Sequence, residues 1–171
     1  MKKILMTLAL AATTCLAAKA QKFALVDMEY ILKNVPAYER ANEQLNQVSK
    51  KWEGEIDAIL KDVEAQYKKY QSEAVFLSDA QKNKTEEEIM QKEKQASDLK
   101  KKYFGSEGEL FKKRQSLMTP IQDEIYNAVK DICDQRGYQL VLDRASGGSI
   151  IYASPKIDIS DEVLQKLGYA K

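Results

Sequence analysis

The chain contains no histidine, which removes the commonest general base and the commonest metal ligand at once. Cysteine is almost as scarce: Cys15 and Cys133 are the whole stock, and Cys15 falls in a stretch that reads as a cleaved leader. With Cys133 alone, no intramolecular disulfide can form. That thiol reads as half-buried and free, with pairing between copies open but unforced. No glycine-rich phosphate loop or nucleophile pattern occurs, and the carboxylates are interleaved with lysines. Neither an enzyme nor a cofactor or metal site is therefore expected. Charge of one sign is missing too, with 27 Lys+Arg against 26 Asp+Glu. Loss of the leader removes three lysines and no acid, so +1 becomes −2, and nothing drives nucleic-acid binding.

Residues 1–20 have the layout of a secretory signal: Lys2 and Lys3, an apolar run from Ile4 to Ala17, then Ala18-Lys19-Ala20. Cleavage is expected between Ala20 and Gln21, which places the mature chain outside the cytoplasm. The apolar run is too short to span a bilayer. A lipoprotein signal ending at Cys15 is the alternative, opposed by Thr13 and Thr14 before it.

What the chain has in abundance is helical periodicity, over residues 37–136. From Tyr38 the inward positions run Ala41, Leu45, Val48, Trp52, Ile56, Ile59, Val63, Tyr67, Tyr70 and Ala74. A return limb reads Leu99, Tyr103, Ser106, Leu110, Arg114, Leu117, Ile121, Ile125, Ala128 and Ile132. Steps of three and four mark one face of an amphipathic helix, and the eleven-residue sum predicts a nearly straight pair. The phase breaks near 75–81, where Ser78 and Gln81 have capping-box spacing. The expectation is a helical hairpin, a solvated coiled-coil arm carrying 18 Lys+Arg and 20 Asp+Glu. Such an arm can grip or space another molecule but encloses no reaction pocket. Pro120, with Thr119 as a cap, predicts a bend or restart of the return limb.

With the turn near residues 78 and 79, Gly54 lies level with Tyr103 and Gly105 level with Trp52, with Gly108 close by. Three glycines inside helices at one height predict a mid-arm hinge, or else room for the indole of Trp52; both readings stand. Off the stripe, Val75, Phe76, Leu77, Met90, Phe104 and Phe111 are candidates for contact with a partner, against local packing at each. Tyr67, Tyr70 and Tyr103 are assigned to the stripe. The basic spots Lys100–Lys102 and Lys112–Arg114 read first as solvated faces, with weak acidic-lipid contact the secondary reading.

Residues 21–36 and 137–171 form a discontinuous β-rich remainder. Strands are expected over Phe23–Met28, Tyr138–Leu142, Ser149–Ala153 and Ile157–Ile159, with Gly137 stopping the long helix. Ser160 is expected to cap a final helix. About 50 residues make a thin core, so copies should pool their strands into one oligomerisation body. Its candidate residues are Phe23, Leu25, Val26, Leu140, Val141, Leu142, Ile150, Ile151 and Tyr152. The fold class is α+β: a long coiled-coil hairpin on a small strand body.

A leader, Lys22-Phe-Ala-Leu-Val-Asp27, a charged hairpin, Tyr138-Gln-Leu-Val-Leu-Asp143, Ile150-Ile-Tyr152 and Ile157-Asp-Ile-Ser-Asp-Glu-Val-Leu164, in that order, resemble the Skp/OmpH family of periplasmic chaperones. The resemblance implies a jellyfish-like homotrimer whose three tentacles surround a cavity. It further implies nucleotide-independent holding of unfolded outer-membrane proteins until delivery. One departure is the balanced charge of this arm, where family members tend to have strongly basic ones, so the resemblance leaves open electrostatic capture and a lipopolysaccharide site of clustered basic residues. A non-enzymatic envelope spacer or adaptor is the alternative function.

Overall fold

The computed structural model describes residues 21–147 and 150–169. The leader and Ser149, first residue of an expected strand, lie outside the described residues. The elements are β1 (Phe23–Val26), α1 (Met28–Lys33), α2 (Pro36–Glu73), α3 (Asp79–Phe104), α4 (Glu109–Arg136), β2 (Leu140–Asp143) and α5 (Ser160–Lys166), with 3-10 turns at Ala74–Phe76 and Pro155–Ile157. They group into two compact units: 36–123, and the residues on either side of it, to Val35 and from Glu124.

The hairpin unit pairs α2 with α3. Its turn forms where the apolar phase breaks. Ser78 Oγ accepts from the Gln81 backbone N–H while the Gln81 side chain accepts from the Ser78 N–H, closing the expected capping box. Ala41, Leu45, Ile56, Val63, Ile89, Ala96, Tyr103 and Ile121 are buried. Across the pair, Lys92 reaches Asp62 and the Tyr70 hydroxyl reaches Glu86, fixing the register.

Four expectations for the hairpin need correction. Tyr67 is exposed, because half-buried Gln66 takes the inward place between Val63 and Tyr70. Ser106 and Arg114 are exposed as well, the first in a break between helices and the second carrying its charge into water. The return limb does not restart at Pro120, which lies on an exposed face of a continuous α4. There the carbonyl deprived of its N–H partner can be hydrated. The restart comes earlier. Gly105 closes α3, its N–H bonded to the Lys101 carbonyl at 2.9 Å, and the Gly108 N–H bonds the Gly105 carbonyl at 2.9 Å before α4 begins. Gly105 and Gly108 therefore bound an interruption; Gly54 alone of the three lies inside a helix.

In the β-containing unit, β1 and β2 pair in parallel, Phe23 opposite Leu140 and Val26 opposite Asp143. The other edge of β1 meets a single bridge between Leu25 and Asp158. The two outer strands expected from sequence do not form among the described residues. Residues 150–154 are irregular, and 157–159 contributes only that bridge. Extended backbone becomes a strand only beside another backbone, and residues 150–154 lie paired neither with β1 nor with the outer edge of β2. Buried residues come from β1, α1, α4, α5 and the segments between them: Leu25, Ile31, Val35, Ile125, Ile132, Ile159 and Val163 among them. Gly137, at φ +70°, ends α4 by turning left-handed, as its position predicts.

Ser160 does not cap α5. It is buried, and a buried hydroxyl needs partners. Its Oγ accepts the Asp27 N–H at 2.8 Å and donates to Asp158 Oδ1 at 2.6 Å. Arg144 completes a polar knot beyond the carboxyl ends of the strands, with Nε 3.0 Å from Asp27 and Nη1 3.2 Å from Asp158.

Candidate functional site

Among the described residues there is no group of three or more side chains suited to a metal ion, and no helix long and apolar enough to cross a membrane. The features that remain are surfaces. Each unit has its own.

On the hairpin unit the apex exposes two large side chains. Val75 and Phe76 are 81% and 85% exposed, and Leu77 beside them is half-buried. A tight turn explains the exposure: three 3-10 residues offer no second helix face to cover them. Met90 stands 61% exposed on α3, and Phe111 is exposed on α4. Phe104 is different. It packs edge-on against Trp52 at 6.3 Å and 84°, and against Tyr103 at 6.4 Å and 85°. Trp52 and Tyr103 stack face to face, 4.6 Å apart and 4° from parallel. The Tyr103 hydroxyl donates to Glu55 at 3.0 Å; burial, then that carboxylate, raises the phenol above its ordinary pKa. An aromatic block thus closes the hairpin immediately before the Gly105–Gly108 interruption.

The indole is not what the glycines accommodate. A Cβ on Gly105 would meet the Lys101 carbonyl oxygen at 2.4 Å, and one on Gly108 the Tyr103 carbonyl oxygen at 2.8 Å. A Cβ on Gly54 would meet nothing within 4 Å. Close approach of backbone, not the ring, requires the first two.

On the β-containing unit the register places exposed Phe23 beside exposed Leu140, with Leu142 also exposed. Ile151 is fully exposed and Tyr152 83% exposed, while Leu25 and Val26 are buried and Val141 and Ile150 are intermediate. Cys133 is half-buried and free, and burial pushes its thiol above the ordinary value, away from the reactive thiolate.

Residues missed by sequence include Ile89 and Ala96. Stepping back from Leu99 by threes and fours reaches both, but Lys92 lies between them and interrupts the apolar pattern.

Residues 22–167 match the family model described as outer membrane protein (OmpH-like). The chain belongs to that family. It is similar to the protein named Chaperone protein Skp of Yersinia enterocolitica, 26% identical over 163 residues and 94% of each chain. Its likeness to the Skp of Pectobacterium atrosepticum is 27% over 162 residues, covering 94% of this chain and 93% of the other. The fold also matches the crystal structure of an OmpH-like outer membrane chaperone from Caulobacter crescentus CB15. There the TM-score is 0.70 at 11% identity, over 88% of this chain and 86% of that one. This OmpH-like chain thus shares its helical hairpin and small sheet with that structure.

Proposed function

We propose that this chain is a holding chaperone of the periplasm, which binds unfolded outer-membrane proteins and keeps them from aggregating without using nucleotide. The observation that carries the reading is the exposure of large apolar side chains on a well-formed, charge-balanced hairpin: Val75, Phe76 and Met90 stand in water, with Phe111 partly so. Scattered shallow contacts suit a protein that must hold many sequences and release them, because they sum without demanding one shape. Names of its relatives agree with the role.

The working form is a homotrimer. Phe23, Leu140, Leu142, Ile151 and Tyr152, exposed on a unit whose strands have an open edge, are the surfaces that copies cover in one another. Clients sit between the hairpins of the three copies. Gly54, Gly105 and Gly108 form the soft level at which each hairpin changes its spread. Residues 1–20 direct export and are removed before Gln21.

The deciding experiment is light scattering of a denatured outer-membrane β-barrel protein diluted with and without the mature chain, with mass measured on the same sample. Suppressed scattering and a complex of three copies with one client are expected. A well-behaved single subunit that leaves the client to precipitate overturns the reading. For the soft level, paired spin labels near the apex of each copy should report a distance distribution that narrows when glycine is replaced at Gly105 and Gly108.

A further inference from the structure

The α2–α3 pair changes character along its length. On α2 as far as Val63, and on α3 from Ile89, buried side chains recur: Ala41, Leu45, Ile56 and Val63, then Ile89, Ala96 and Tyr103. Toward the apex, residues 64–88 bury no side chain. Their half-buried positions are Gln66, Tyr70, Ala74, Leu77, Lys82 and Thr85, of which only Ala74 and Leu77 are wholly apolar. Two helix ends, 64–73 and 79–88, therefore meet without a core. Separate helices of that length do not sustain themselves in water, where about 12–15 residues are needed. They persist as extensions of longer helices nucleated elsewhere.

Polar contacts mark this end of the hairpin at two levels. At its base, Asp62 accepts from Lys92 across the pair and from Gln66 on its own helix at 3.1 Å. Farther out, the Tyr70 hydroxyl donates to Glu86. Among the described residues, no other hydrogen bond or ion pair joins α2 to α3 between that base and the apex turn. Lys68–Glu64 and Lys84–Glu88 each stay within one helix.

We infer that residues 64–88 open and close as one unit, latched by Tyr70–Glu86 and stopped by the burial of Val63 and Ile89 beside the Asp62 contacts. Local opening costs as much as the burial it undoes. Opening this end undoes one cross-helix hydrogen bond and some half-buried surface. Carrying it further uncovers Val63 and Ile89, then the block of Trp52, Tyr103 and Phe104. The cost therefore rises in a step, not a slope. In the open state Tyr70, Ala74 and Leu77 lose their cover and join Val75 and Phe76 in water, so the apex has two levels of apolar exposure. The Gly105–Gly108 interruption takes no part, because the aromatic block lies between it and the segment that opens.

The test is amide exchange of the full mature chain, read by mass spectrometry in rising, sub-denaturing urea. Amides of 66–73 and 80–88 should exchange together, with one shared and shallow urea dependence, ahead of 45–62 and 90–104. Tyr70→Phe deletes the hydroxyl and keeps the ring. It should quicken exchange over the whole of that end by about three- to tenfold and leave 45–62 unchanged. Ile89→Ala removes the last buried side chain on α3 and should carry the step inward. Amides of 90–95 then join the fast group, while those beside Ala96 and Tyr103 stay slow. Protection that declines residue by residue toward the apex would overturn the proposal, because simple fraying would then account for it. Exchange over 64–88 as slow as over 45–62, or a Tyr70→Phe effect confined to the neighbours of residue 70, would do the same. The parent chain alone can deliver the first two of these results, so the test does not depend on either variant folding.

Discussion

The two units keep their folds by different means. The β-containing unit buries side chains from one strand and three helices around Ile31, Val35, Ile125, Ile132 and Val163, each at most 2% exposed. It then ties the ends of those elements with Asp27, Arg144, Asp158 and Ser160, while Arg136–Glu162 and Lys166–Asp131 join α4 to α5. The hairpin unit has one apolar stripe per helix, and much of it, Trp52 and Ile59 included, stays half-buried. Its large apolar residues at the apex are left in water. One unit uses its apolar residues for a core. The other spends a share of them on its surface, which is what a surface meant for transient contact requires.

That contrast is sharpened most by cutting into each core. Ile31→Ala removes a fully buried side chain from the β-containing unit and should cost about 2–5 kcal/mol. Ile56→Ala, 7% exposed beside a half-buried neighbourhood, should cost less. Urea unfolding of both variants reads the difference, and equal losses would erase the contrast. Next in size is Asp27, whose carboxylate caps α1 by accepting the Tyr30 N–H at 2.8 Å. Asp27→Ala should cost about 1 kcal/mol for the cap, and more where Arg144 loses its partner. The Tyr30 N–H, then Arg144, hold the Asp27 carboxyl below its ordinary 3.8. A lowered folded-state pKa gives stability that is complete above the ordinary carboxylate range and lost as pH falls through the folded value. Acid titration of stability should therefore be shallower below about pH 4 in Asp27→Asn than in the parent.

What could be read in advance was local. The apex and its capping box depend on four neighbouring residues, Ser78 to Gln81, and the stripe from Ala41 to Val63 depends on spacing alone. Register followed from where the turn fell, which put Trp52 and Tyr103 close enough to stack. What stayed hidden was decided at long range. The polar knot joins residues 27, 144, 158 and 160, whose meeting no local pattern encodes. The stretch 150–153 has strand-like side chains but finds no backbone beside it, so composition alone misleads. The same limit applies to Phe104, visible as an off-stripe aromatic but not as one braced by Trp52 and Tyr103.

The glycines offer a smaller and cleaner comparison, because the two kinds should respond with opposite sign. Gly54 lies in α2 with open space around it, so Gly54→Ala should stabilise by about 1 kcal/mol through helix propensity. At Gly105 the new methyl would strike the Lys101 carbonyl oxygen at 2.4 Å, so Gly105→Ala should destabilise. Urea midpoints of the two variants settle it. If both rise, the interruption is not required by its glycines, and α3 and α4 could run as one helix.

The smallest effect belongs to the apex. Ser78→Ala removes the side-chain oxygen that accepts the Gln81 N–H and leaves Gln81 without its reciprocal partner. A loss of about 0.5–1 kcal/mol is expected, near the low end for caps because the site is exposed. Amide exchange should quicken over 79–82, the first turn of α3, and stay unchanged through β1 and α5. Faster exchange in the strands as well would mean that the two units do not hold their folds separately, and the difference drawn between them would have to be abandoned.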